Sequence, residues 1–200
     1  MPHHLGTPTE SPVRVLLIIG STRQDRFGPV PAAWAADRAR ERPDIDLEVA
    51  DLAEIDLPTV MMGDDENAPL PDSVAAFGKR VDAADAVVIV TPVYNRGYPA
   101  SLKNAIDWLH NEWFATPVGF VSYGGISGGQ EAVEQLRNVF VELNTMTIRN
   151  ALIFPNFWER FDDDGQPTDQ TATAEAATGF YDQLTMWARA ARILRAGASS

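Results

Sequence analysis

The feature that most constrains this chain is a set of short, fully apolar runs separated by helical patterns. Val13 to Ile19 (VRVLLII) ends at Gly20, and Ala86 to Val90 (AVVIV) and Val118 to Ser122 repeat the type. Runs this short and this apolar suit strands covered on both faces. Asp44 to Leu52 alternates, with Ile45, Leu47 and Val49 on one side, and Thr147 to Phe154 closes the set. Between them the spacing predicts helices. Pro29 opens one running to about Glu41, and others cover 72–84, 102–109, 132–143 and 172–194. The order is βαβαβαβαβα. Alternation of this kind makes a parallel sheet with helices on both faces. Five strands in 200 residues fit the smaller doubly wound arrangement, with strand order 2-1-3-4-5.

One domain spanning 13–195 is expected, preceded by a disordered tail over 1–12. Those twelve residues, MPHHLGTPTESP, are polar and Pro-rich and lack the apolar stretch of a secretory signal. The longest uncharged stretch, 113–130, holds Pro117 and five glycines and is no membrane span. The chain has no cysteine, which excludes disulfides, thiolate nucleophiles and Cys-ligated metals. Its absence fits a cytoplasmic setting. Lys plus Arg is 16 against Asp plus Glu 28, a net charge of −12. Nucleic-acid binding needs a basic surface, so no nucleic-acid partner is expected. An anion can still be bound by a local group of arginines and backbone N–H groups.

In a doubly wound sheet, ligands bind beyond the carboxyl ends of the strands. The loops that converge there are 20–28, 91–98 and 122–128. Gly20-Ser21-Thr22-Arg23-Gln24-Asp25-Arg26 joins a strand to a helix start, the geometry that holds a phosphate. It lacks the Lys-Ser/Thr of a P-loop and the G-x-G-x-x-G of a dinucleotide fold. The other reading of this loop is an ordinary turn with exposed arginines. Pro92-Val93-Tyr94-Asn95-Arg96-Gly97-Tyr98-Pro99 offers rigid backbone, aromatic faces and amide donors for a flat heteroaromatic ring. It reads equally as a Pro-rich turn whose tyrosines cap the core.

Gly125-Ile126-Ser127-Gly128-Gly129 matches the nucleophile elbow G-x-S-x-G. That triad needs a histidine after the serine, and His3, His4 and His110 all precede it. The glycines instead let backbone approach a ligand. His110-x-Glu112 cannot complete a zinc-deaminase signature without cysteine, and Asp162-Asp163-Asp164-Gly165 lacks calcium-loop spacing. No metal site is expected. Trp108, beside the apolar stripe of its helix, is a candidate for a subunit interface.

Taken together, GSTRQDR-F-G-P, the long motif P-x-Y-N-x-x-x-P-x-x-L-K-N-A-I-D-W over 92–108, and VSYGGISGG resemble the NADPH-dependent FMN reductase family of flavodoxin-like proteins. The resemblance spans about 13–195. It implies that Ser21, Thr22 and Arg23 take the FMN phosphate. Arg26 joins them as a candidate where the family often has a further serine. Pro92, Val93, Tyr94 and Asn95 would line the isoalloxazine, with Gly97 nearby, and Ser122, Tyr123, Gly124 and Gly125 would close its other edge. The family commonly has Glu where this chain has Val93, which leaves contact there to the backbone.

The activity implied is ping-pong. NADPH or NADH gives a hydride to FMN, and a quinone, flavin or other small acceptor then takes the electrons. The cofactor carries the chemistry, so no catalytic side chain is expected. Family members are usually dimers with the 102–109 helix near the interface, and a homodimer or homotetramer is expected. Three other readings stay open: an FMN-binding electron carrier, a flavin-binding regulatory protein without NAD(P)H turnover, and a specialised flavoenzyme of a biosynthetic pathway on the same fold.

Overall fold

A computed structural model describes residues 11–60 and 69–198. Most of the expected tail lies outside the described residues. Its last two members, Ser11 and Pro12, are held by hydrogen bonds from the Arg192 guanidinium. The elements are β1 (Val13–Ile19), α1 (Pro29–Arg40), β2 (Ile45–Asp51), α2 (Asp72–Ala83), β3 (Ala86–Pro92), α3 (Ala100–Asp107), β4 (Val118–Gly124), α4 (Gln130–Glu142), β5 (Thr147–Pro155) and α5 (Gln170–Ala198). The strands form one parallel sheet in the order β2-β1-β3-β4-β5, the doubly wound flavodoxin-like arrangement.

The period of two along β1 divides the core. Val13, Val15, Leu17 and Ile19 face α1 and α5, where they meet Ala35, Phe180 and Leu184. Leu16 and Ile18 face the other way, toward Phe77 of α2, Leu102 and Ile106 of α3, and Leu136 and Phe140 of α4. Each large apolar side chain buried in this way contributes about 1.5–3 kcal/mol. The strands β3 and β4 are buried along their whole length, as their unbroken apolar runs require.

Three strands run past their sequence-expected ends, β5 by one residue and β3 and β4 by two each. The ladder pairs Thr91 with Ser122 and Pro92 with Tyr123, so β3 reaches 92 and β4 reaches 124. Proline is tolerated there because it ends its strand and no later ladder bond needs its missing N–H. The candidate residues Pro92, Ser122, Tyr123 and Gly124 therefore belong to the rigid sheet rather than to loops. Trp108 is accounted for inside the chain. It is 9% exposed, and its indole N–H donates to the Pro58 carbonyl at 2.7 Å.

At the amino-terminal edge of the sheet, Asp85 is a buried carboxylate facing three arginines. It accepts from the Arg14 backbone N–H at 2.9 Å, Arg192 Nη2 at 2.6 Å and Arg195 Nη2 at 3.1 Å. This cluster fastens the end of α5 to the start of β3, at the opposite end of the sheet from the three glycine- and proline-bearing loops.

Candidate functional site

A cleft of about 650 Å³ opens beyond the carboxyl ends of β1, β3 and β4. Its size lies within the range of small-molecule and cofactor sites. Arg23 and Arg26 line it from the loop after β1. Pro92, Val93 and Tyr94 line it from the end of β3, and Tyr123, Gly124 and Gly125 from the end of β4. Gln24, Asp25, Phe27, Val30 and Phe157 complete the wall. Phe157 comes from a short 3-10 turn, Phe157–Glu159, that follows β5. No expectation placed it there; its signal is an aromatic pair, Phe157-Trp158, just past the carboxyl end of a strand.

The loop after β1 is shaped by its own polar bonds. Gly20 N–H donates to Val90 O at 2.9 Å, and Ser101 Oγ of α3 donates to Gly20 O at 2.7 Å. Ser21 is fully buried, with its hydroxyl 2.7 Å from the Tyr94 hydroxyl. That contact ties the loop after β1 to the loop after β3. The Arg26 guanidinium pairs with Asp51 at the end of β2 and donates to Ser21 O at 3.0 Å. Ser21 and Arg26 thus brace the loop. Thr22 points to a separate cavity of about 450 Å³ beside Leu52, Leu57 and Asn104. Arg23 is different. It is exposed, makes no ion pair among the described residues, and sits with its guanidinium carbon 6.0 Å from the Tyr94 ring centre. An unpaired guanidinium on the wall of a cleft is a ready partner for a phosphate.

The loop after β3 turns through Asn95 and Arg96, both in the left-handed region at φ 49° and 68°. Tyr94 N–H donates to Gly97 O at 2.7 Å and Gly97 N–H to Tyr94 O at 3.0 Å. This two-residue turn puts Asn95 and Arg96 at its tip and Gly97 at its base, paired with Tyr94, and neither Asn95 nor Gly97 lines the cleft. A left-handed arginine costs roughly 1–2 kcal/mol. Gln135 of α4 offsets it by donating to the Arg96 carbonyl at 2.8 Å.

At the end of β4 the side chains alternate. Tyr123 faces the cleft; Ser122 faces the other side, fully buried, with its hydroxyl unpartnered beneath Gly129. Val93 lies so close over Gly124 that a Cβ there would stand 2.6 Å from Val93 Cγ1. Gly125 has open space around its Cα. Gly125 therefore presents bare backbone to the cleft, with Gly124 beneath Val93 beside it, which suits the edge of a planar ring. Ser127, the serine of the elbow-like motif, hydrogen-bonds the Glu131 carboxylate at 2.5 Å and holds that carboxyl below the usual range. Glu112 accepts the His110 backbone N–H, and the Asp162 carboxylate accepts the N–H groups of Asp164 and Gln166. Both are local turns.

Aromatic rings close one side of the cleft. Phe27, Tyr123 and Phe157 pack against one another with ring centres 4.5–5.8 Å apart. Burial pushes the Tyr123 phenol well above its ordinary pKa, and the nearby Tyr94 adds to the rise. The parts present suit FMN: a cavity of sufficient size, an unpaired arginine, a helix start, bare backbone and an apolar wall.

Residues 13–159 match the family model described as NADPH-dependent FMN reductase. An NAD(P)H-dependent FMN reductase of Schizosaccharomyces pombe is 36% identical, over 71% of this chain and 74% of its own length. An NADPH:quinone oxidoreductase of Arabidopsis thaliana is 30% identical, over 79% of this chain and 83% of its own. Among solved structures, the flavoenzyme NAD(P)H:(acceptor) oxidoreductase of Paracoccus denitrificans superposes with a TM-score of 0.72 at 30% identity. That alignment covers 88% of this chain and 97% of the other. The sheet order, the cleft at the strand ends and these matches agree, and the chain belongs to the NADPH-dependent FMN reductase family.

Proposed function

We propose that this member of the FMN reductase family oxidises NADPH or NADH by a ping-pong cycle and passes the electrons to a quinone, flavin or other small acceptor. The observation that carries the reading is the cleft itself. It has on its wall an arginine with no ion pair among the described residues, bare backbone at Gly125 and aromatic side chains between. FMN, when bound, supplies the chemistry of hydride acceptance and electron delivery.

The chain's residues bind and orient. Arg23 serves the phosphate near the start of α1, while Ser21, Thr22 and Arg26 shape the loop that presents it. Pro92, Val93, Tyr94 and the Gly124-Gly125 backbone serve the ring, with Asn95, Gly97 and Ser122 supporting those loops from behind. Phe27 and Phe157 keep water from the apolar side. Residues 13–195 act as one unit. No helix among the described residues is long and apolar enough to cross a membrane. We place the protein in the cytoplasm, in keeping with its lack of cysteine.

A homodimer or homotetramer is part of the proposal. Ile126 and Trp158, 93% and 59% exposed, are large apolar side chains in the loop after β4 and the turn after β5, suited to contact with a second copy.

The test is an anaerobic NADPH titration of the FMN-reconstituted protein, followed by flavin absorbance. Bleaching at about one equivalent supports the reductase. A bound flavin that stays oxidised with both NADPH and NADH overturns it in favour of a carrier.

A further inference from the structure

One polar side chain at the site is buried with its hydroxyl facing a helix start. Tyr123 is 3% exposed, yet its hydroxyl has no hydrogen-bond partner among the described residues. Buried polar atoms are nearly always paired, and an exception beside a cleft invites a ligand as its partner. The hydroxyl is aimed at the start of α1, where a Cβ built on Gly28 would stand 2.9 Å from it. The Gly28 N–H faces the phenol oxygen outside hydrogen-bond geometry, and the phenol proton has no acceptor. Burial keeps that proton in place, so the group is a donor.

The start of α1 is short of donors. A helix ordinarily presents four free N–H groups at this end, and these hold anions. Here the four positions are Gly28, Pro29, Val30 and Pro31. The two prolines have no N–H, and the Val30 N–H is given to Phe27 O at 3.0 Å. Gly28 alone remains, and its N–H faces the Tyr123 oxygen. Gly28 also lacks the side-chain oxygen that a Ser, Thr or Asp cap would bring, and Tyr123 is the reason, because its hydroxyl occupies the space such a side chain would need.

We propose that the Tyr123 hydroxyl replaces these missing donors and hydrogen-bonds the phosphomonoester of FMN together with Arg23. The assignment rests on the flavin reading. It moves Tyr123 from the ring edge, where the family resemblance puts it, to the phosphate end of the cleft. Phe27 and Phe157, packed edge-on at 5.8 and 5.6 Å, fix the direction in which its hydroxyl points.

The test is Tyr123→Phe, read three ways on the full chain. FMN affinity by fluorescence titration falls roughly 10-fold or more, as for a lost hydrogen bond to a charged group. Riboflavin affinity, which involves no phosphate, stays at the wild-type value. The ³¹P resonance of bound FMN moves. The flavin-free variant melts no lower than wild type, because the hydroxyl it loses has no partner in the protein; a merely structural role would lower melting temperature and affinity together. Unchanged FMN affinity with an unmoved ³¹P resonance overturns the proposal, as does an equal loss for FMN and riboflavin. Wild-type protein that binds no FMN overturns the flavin reading itself, and this assignment with it.

Discussion

Replacing Asp85 with Asn removes one charge from a cluster far from the cleft, so it separates the stability of the fold from the chemistry of the site. The Asp85 carboxylate is almost wholly buried. Burial alone would raise its pKa, but bonds from Arg192 and from the Arg14 backbone and side chain outweigh that and hold it at about 2, against an ordinary 3.8. A depression of this size corresponds to about 2.5 kcal/mol of folding stability. Removing one partner of a fully buried ion pair costs about 3–5 kcal/mol. The partner side chains here are 57%, 25% and 23% exposed, so water recovers part of that cost. We expect Asp85→Asn to lose about 2–3 kcal/mol near neutrality, which at about 2–4 °C per kcal/mol lowers the melting temperature by roughly 4–12 °C.

The sign with pH follows from the depressed pKa. The stabilisation is complete above the unfolded value and disappears as pH falls through about 2. Urea unfolding of both proteins from pH 6 downward measures it. The gap between them should narrow below about pH 4 as the wild-type carboxyl takes up its proton. FMN affinity should not change, because β3 separates Asp85 from the cleft by about 20 Å. A gap that stays constant with pH, or one below about 1 kcal/mol at pH 6, would show that the Asp85 charge does not carry this stabilisation.

Two further outcomes test the site. Arg23→Ala should weaken FMN binding about 10- to 150-fold while leaving the flavin-free protein's stability within about 0.5 kcal/mol; unchanged affinity in a fluorescence titration removes Arg23 from the phosphate site. Gly124→Ala places a methyl 2.6 Å from Val93 Cγ1 and should cost about 1–3 kcal/mol. Adding Val93→Ala should restore part of that loss, and purely additive costs in a double-mutant cycle would show that the two side chains do not meet.

Local pattern carried much of this protein. The period of two along β1, the unbroken apolar runs of β3 and β4 and the helical spacing between them are short-range properties, and they determined element order and sheet topology. The long motif over 92–108 is one contiguous stretch, and it carries the family resemblance by residue type and spacing alone. Eight of the thirteen candidate residues line the cleft: Arg23, Arg26, Pro92, Val93, Tyr94, Tyr123, Gly124 and Gly125.

What each side chain does there was decided by tertiary contact. Ser21 and Arg23 are two residues apart in one polar loop, yet Ser21 lies buried against Tyr94 and Arg23 stands unpaired at the cleft. Arg26 turned to Asp51, 25 positions away, because β2 lies beside β1 in the sheet. Phe157 entered the wall because β5 sets down the turn after it next to Phe27, 130 positions earlier in the chain. The unpartnered hydroxyl of Tyr123 exists only because β4 brings it against a helix start that holds two prolines. Residue type and spacing state what a side chain is able to do; its partner is chosen by neighbours that are close in space and distant in sequence.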